Sequence, residues 1–177
     1  MKNGSPALKL AIGACGAAIS LAFILLGALV FQNISMSLNI AASLGMMLPL
    51  SQKYYREAVI AYVSVVILGA LIVVFRILPF ALVSGGYTLI AILLHEKKVK
   101  PYIVIPLIAV YSSIVFFILY QITKLIIINL EDLNFITLSP TALYIIANII
   151  FTICFIVYHY VAIYLYINVK QRLKIGK

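Results

Sequence analysis

Long apolar runs separated by short polar breaks dominate this chain. The first run extends from Ala7 to Phe31 and ends at Gln32-Asn33-Ile34-Ser35. The second, Met36 to Leu50, is only about 15 residues long, short for a crossing at 1.5 Å per residue, and stops at Pro49 and Ser51-Gln52-Lys53. A third run, Ala58 to Phe75, closes at Arg76, and a fourth, Ile77 to Leu94, carries Pro79 in its first turn, where the missing N–H costs little. His95-Glu96-Lys97-Lys98 ends the fourth, and Pro101 opens a long fifth run reaching Asn129. Glu131, Asp132 and Asn134 mark a loop; Ser139-Pro140 then reads as N-cap and first residue of a sixth helix continuing to Val169. The runs are continuous rather than alternating, which predicts helices and not a barrel.

Composition removes the soluble alternative. Of 177 residues, 66% are hydrophobic and 10% charged, whereas a soluble domain is about 45–50% apolar and about 25% charged. No water-soluble fold of this size hides so much apolar side chain, and in lipid the backbone must satisfy itself within each segment. The expected fold class is all-α: a polytopic membrane protein, a bundle of six transmembrane helices forming one transmembrane domain over residues 1–177. Its spans are 7–31, 36–50, 58–75, 77–94, 101–129 and 140–169. Lys2 and Lys9 ahead of an apolar run imitate a signal peptide, but the run has spanning length, so the first span is expected to be retained. Cys15 and Cys154 lie within apolar runs without metal-type spacing and read as small buried hydrophobes.

Charge then predicts orientation. With the N-terminus in the cytoplasm, an even number of spans places 11 of the 13 basic residues inside, leaving Arg76 and Lys124 towards the outside. Both termini are therefore expected to be cytoplasmic. Tyr158, Tyr160, Tyr164 and Tyr166 fit an interfacial aromatic belt at the inner end of the last helix. The net charge of +9 is thus a topology signal rather than a mark of nucleic-acid binding.

Little in the chain carries chemistry. Ser84 in the fourth helix and His159 in the sixth superficially resemble an intramembrane serine protease dyad, but Leu82 stands where that motif needs glycine. Their depths, about 10 Å and about 28 Å from the outer helix ends, also keep the base from the nucleophile. None of the four acidic residues lies mid-span, which disfavours an ion-coupled pump. Neither a phosphate-binding loop nor a metal-ligand cluster is present, so no catalytic residue, metal or cofactor is expected. Asn39, Ser43, Ser84, Gln121, Asn129 and Asn148 are the other polar residues within or near the apolar runs. Gln32, Asn33, Arg76 and Lys124 fall towards the outer face. Singly they read as loop or snorkelling residues; together they would line an outward pocket whose two cations favour an anionic small molecule. Those four and Asn148 are the candidate substrate-binding residues.

The first helix is lined with small residues. Ala14, Ala18 and Ala22 recur every four positions, with Gly13/Ala17 and Gly16/Ser20 beside them. Small-xxx-small faces let helix backbones approach in lipid, so this face either packs against the protein's own helices or docks another membrane subunit.

Short-looped helices, inward termini and the Ala14-xxx-Ala18-xxx-Ala22 face resemble the substrate-binding S components of energy-coupling factor transporters, as does the stretch Leu78-Pro79-Phe80 to Gly85-Gly86-Tyr87. The resemblance implies a bacterial plasma-membrane protein that binds a vitamin-like small molecule near the outer leaflet. It also implies partners, a transmembrane coupling subunit docked on the alanine face and cytoplasmic ATPase subunits that supply energy. The competing expectation is a structural or accessory subunit that uses the same small-residue face for assembly and binds no solute.

Overall fold

The computed structural model describes residues 5–126 and 139–175. Among them six helices are long and apolar enough to cross a membrane, and no strand occurs. The chain is an all-α, multi-pass membrane protein. It divides into two compact units. The first covers the chain up to Lys97 and again from Val161; the second is Lys98–Tyr160.

In the first unit, α1 (Pro6–Leu25) begins where the Ser5 hydroxyl accepts the Leu8 N–H at 3.3 Å and Pro6 takes the first helical position. It passes into a π-helical turn, Leu26–Val30, and a 3₁₀ turn, Gln32–Ile34, leads into α2 (Ser35–Ser51). Next comes α3 (Tyr55–Val73), then a 3₁₀ turn, Val74–Ile77, a π-helical stretch, Pro79–Gly85, and α4 (Gly86–Glu96). α1 and α2 meet backbone to backbone at Gly16 and Gly45. A Cβ on Gly16 would lie 2.5 Å from the Gly45 carbonyl oxygen, and the Ser20 hydroxyl donates to the Ala42 carbonyl at 2.7 Å. Close approach of this kind supplies the van der Waals contact that drives helix association in lipid. Around it Ile24, Ala28, Met46, Val65, Ile77 and Phe80 form the core, and Tyr62 donates to the Ala81 carbonyl at 2.8 Å.

The far end of α6 (Pro140–Ile175) belongs to this unit, with Ala162 and Tyr166 buried in it. Tyr166 is 0% exposed and donates to the Glu96 carboxylate at 2.7 Å; Lys170 forms an ion pair with the same carboxylate, its ammonium 5.1 Å from the Tyr166 ring centre. In the second unit α5 (Pro101–Ile126) and α6 share polar and aromatic contacts. The Ser112 and Thr152 hydroxyls lie 2.9 Å apart, and Phe116 packs on Tyr144 and Phe151 at ring distances of 5.3 and 5.4 Å.

Several boundaries differ from the sequence expectation. The second segment is helical from Gln32 to Ser51, 20 residues, because the polar run Gln32–Ser35 starts the helix instead of interrupting it. α3 starts at Tyr55, and α6 continues to Ile175 because Lys170 and Arg172 extend the helix beyond its apolar part. The N-cap is as expected, with Ser139 Oγ accepting the Ala142 N–H at 3.3 Å. Positions 127–129 of the expected fifth span lie outside the described residues. Cys15 and Cys154 are exposed rather than buried, as small apolar side chains are free to be on faces that meet lipid. Of the four tyrosines grouped as a belt, Tyr160 and Tyr164 are exposed, but Tyr166 turns inward because Glu96 and Lys170 give its hydroxyl and ring partners there.

Candidate ligand pocket

The irregular backbone of the first unit gathers at one end. There the π turn after α1, the 3₁₀ turns before α2 and after α3, and the π stretch before α4 come together. π-helical turns are rare and are frequently found at functional sites. Between them lies an open cavity of about 370 Å³ lined by Gly27, Gln32, Asn33, Ser35, Met36, Asn39, Arg76 and Pro79. Ligand pockets span about 300–1,000 Å³, so this one suits a small molecule.

Arg76 is its charged group. The guanidinium Nη1 donates to the Ala28 carbonyl, which fixes the head on the π turn of α1. The turn that presents it is strained: Val74, a β-branched residue, sits at φ 49° and ψ −116°. Gln32 and Asn33 are exposed at the rim, whereas Asn39 is 4% exposed in the wall. The amide of Asn39 makes no hydrogen bond to any described residue. The described carboxylates lie elsewhere: Glu96 is held by Lys170 and Tyr166, and Glu57 lies against Gly13 near the start of α1. The basic residues Lys9, Lys53, Arg56 and Lys97 belong to the opposite helix ends of this unit.

Three of the five residues singled out from sequence, Gln32, Asn33 and Arg76, therefore share one cavity. Asn148 belongs to the second unit, where its amide donates to Ser113 at 3.4 Å and its Oδ1 has no described partner. Lys124 is in α5, and its side chain lies outside the described residues. Asn39, Ser35, Met36, Gly27 and Pro79 complete the lining and were not among those five; a lone amide within an apolar run was the available signal for Asn39.

The small residues of α1 separate into two faces. Gly13, Gly16 and Ser20 are buried, while Ala14, Ala18 and Ala22 are exposed. Ala14 borders a shallow groove of about 150 Å³ shared with Glu57, Ile60 and Ser64 of α3. Ser84 (1% exposed) and His159 (5%) are both buried, the first within the first unit and the second within the second. Among the described residues no three His, Cys, Asp or Glu side chains gather as metal ligands. No family model, curated protein or solved structure matches this chain.

Proposed function

We propose that this protein is the membrane-embedded solute-binding subunit of an uptake system of the energy-coupling factor type. The observation that carries the reading is the cavity in which Arg76, Gln32, Asn33 and Asn39 converge among irregular helix ends. Gln32, Asn33 and Arg76 stand exposed at helix ends and Asn39 is buried in the wall, so one cation and three amides are offered to a single cavity, the lining expected of a polar-solute site. The positive-inside rule supports an outward-facing pocket, since Lys9, Lys53, Arg56 and Lys97 lie at the opposite helix ends. In this reading both termini are cytoplasmic and the membrane is the bacterial plasma membrane. The exposed Ala14, Ala18 and Ala22 are the docking face for a transmembrane coupling subunit, and cytoplasmic ATPases power the cycle. The chain itself performs no catalysis in this scheme.

Mass spectrometry of protein released gently from its own membrane tests the reading. A stoichiometric small molecule, lost in Arg76→Gln, is expected. Protein that carries none, and that no vitamin or related micronutrient stabilises against heat, would overturn it. The exposed alanine face also suits an accessory subunit that binds no solute, and that second reading would then stand.

A further inference from the structure

We infer that the cavity takes a small organic anion bearing a second hydrogen-bonding group, with Arg76 holding the oxyanion and Asn39 reading the second group. This deepens the solute-binding reading and rests on it. Two independent features point the same way.

The first is an exposed cation with no carboxylate partner among the described residues. Arg76 presents five N–H donors in a planar fork and spends Nη1 on the Ala28 carbonyl. No described carboxylate pairs with it or lines the cavity. The Ala28 contact fixes the plane of the fork, and the remaining donors suit a carboxylate or phosphate oxygen, which charge-assisted bonds favour over a neutral carbonyl.

The second is the amide of Asn39. It is 4% exposed, lines the cavity, and has no hydrogen-bond partner among the described residues. The amide is accessible from the open cavity, and its natural complement there is a group that accepts from its N–H₂ or donates to its carbonyl. Gly27, Met36 and Pro79 supply an apolar wall for the body of the ligand. At about 370 Å³ there is room for a single ring and its substituents.

The oxyanion could belong to a free solute or to a lipid headgroup, and both are tested. Full-length protein in phosphatidylcholine nanodiscs is titrated with 3- and 4-hydroxybenzoate, benzoate and 4-hydroxybenzamide at millimolar concentration, and binding is read by thermal shift and native mass spectrometry. One hydroxybenzoate isomer is expected to bind about tenfold to a hundredfold more tightly than the neutral amide, the value of one charge-assisted hydrogen bond. It is expected to exceed benzoate by about threefold to tenfold, the value of one neutral hydrogen bond. Arg76→Gln should erase the first preference and Asn39→Leu the second. The wild-type ranking tests the inference even if either variant fails to fold.

Equal or tighter binding of 4-hydroxybenzamide overturns the anion assignment while leaving solute binding intact. A second preference unchanged in Asn39→Leu removes Asn39 from recognition. Arg76-dependent retention of phosphatidylglycerol, with loss of hydroxybenzoate binding when that lipid is added, assigns the site to a headgroup and overturns the free-solute form. Failure of every probe overturns the inference, and the mass of any co-purified molecule then decides separately whether solute binding survives.

Discussion

Val74 holds a β-branched side chain at φ 49°, a backbone region that such residues avoid because Cβ crowds the neighbouring carbonyl. The strain falls two residues before Arg76, in the turn that carries the guanidinium to the Ala28 carbonyl. Val74 is 57% exposed, so replacing it removes little packing. Val74→Gly should therefore raise thermal stability by about 1 kcal/mol, seen as a higher midpoint in a circular-dichroism melt. An unchanged or lowered midpoint would show that the turn is not strained. At the other end of the unit, Glu96 joins Tyr166 and Lys170, and with Lys170 25% and Glu96 16% exposed at their side chains water screens the pair only in part. Glu96→Gln and Lys170→Met should each cost about 1–3 kcal/mol, and the double variant less than their sum, because both singles break the same interaction. Strict additivity in the same melts would mean that the two side chains act separately. Neither relationship is legible in the sequence. Glu96 and Lys170 look like parts of two separate charge runs, and backbone strain leaves no mark on residue type beyond an unremarkable valine.

Within α1 the division of small residues makes an element-level distinction that spacing alone leaves open. Gly16 and Ser20 meet α2 at backbone distance, while Ala14, Ala18 and Ala22 point away from it and are exposed. A side chain on Gly16 has no room, since even its Cβ would lie 2.5 Å from the Gly45 carbonyl oxygen and 3.2 Å from Pro49 Cδ. Gly16→Leu should thus abolish monodisperse protein, whereas Ala18→Leu should purify normally and melt within about 0.5 kcal/mol of the parent, as an exposed substitution does. Size-exclusion profiles of the two variants check this, and a well-behaved Gly16→Leu would refute the packing. If the alanine face docks a partner as proposed, Ala18→Leu alone should lose that partner on copurification. The sequence pattern could show small residues on α1 but not which face turned inward. A membrane helix is apolar both towards lipid and towards its neighbours, so the polarity contrast that orients a soluble helix is missing. Asn39 is visible as a lone amide within an apolar run, but nothing in the run tells which face it is on, whereas Gln32, Asn33 and Arg76 are singled out because polar residues at the ends of apolar runs stand out.

At the scale of the whole molecule, six long apolar helices follow directly from run lengths, because a continuous apolar run in lipid must satisfy its polar backbone within the segment, as a helix does. The helices nevertheless overrun their apolar parts, at Gln32 and beyond Lys170, since a helix continues wherever its backbone bonds can form and its side chains find water or a polar partner. Orientation is a separate question from fold, and the first unit sharpens it. Lys9, Lys53, Arg56 and Lys97 occupy one set of helix ends, and Arg76 is the described cation among the pocket residues at the other. The proposed topology requires the pocket to face outwards, because a site for uptake from the medium must be open to it and the basic ends resist translocation. In a background with Cys15 and Cys154 replaced by alanine, which their exposed positions permit, Asn33→Cys should react with an impermeant maleimide in intact cells. Lys53→Cys and Lys98→Cys, each in a tight turn at positive φ, should react only after permeabilisation. Labelling of the two lysine positions from outside would invert the molecule and leave the Arg76 pocket facing the cytoplasm, where it could not collect a solute from the medium.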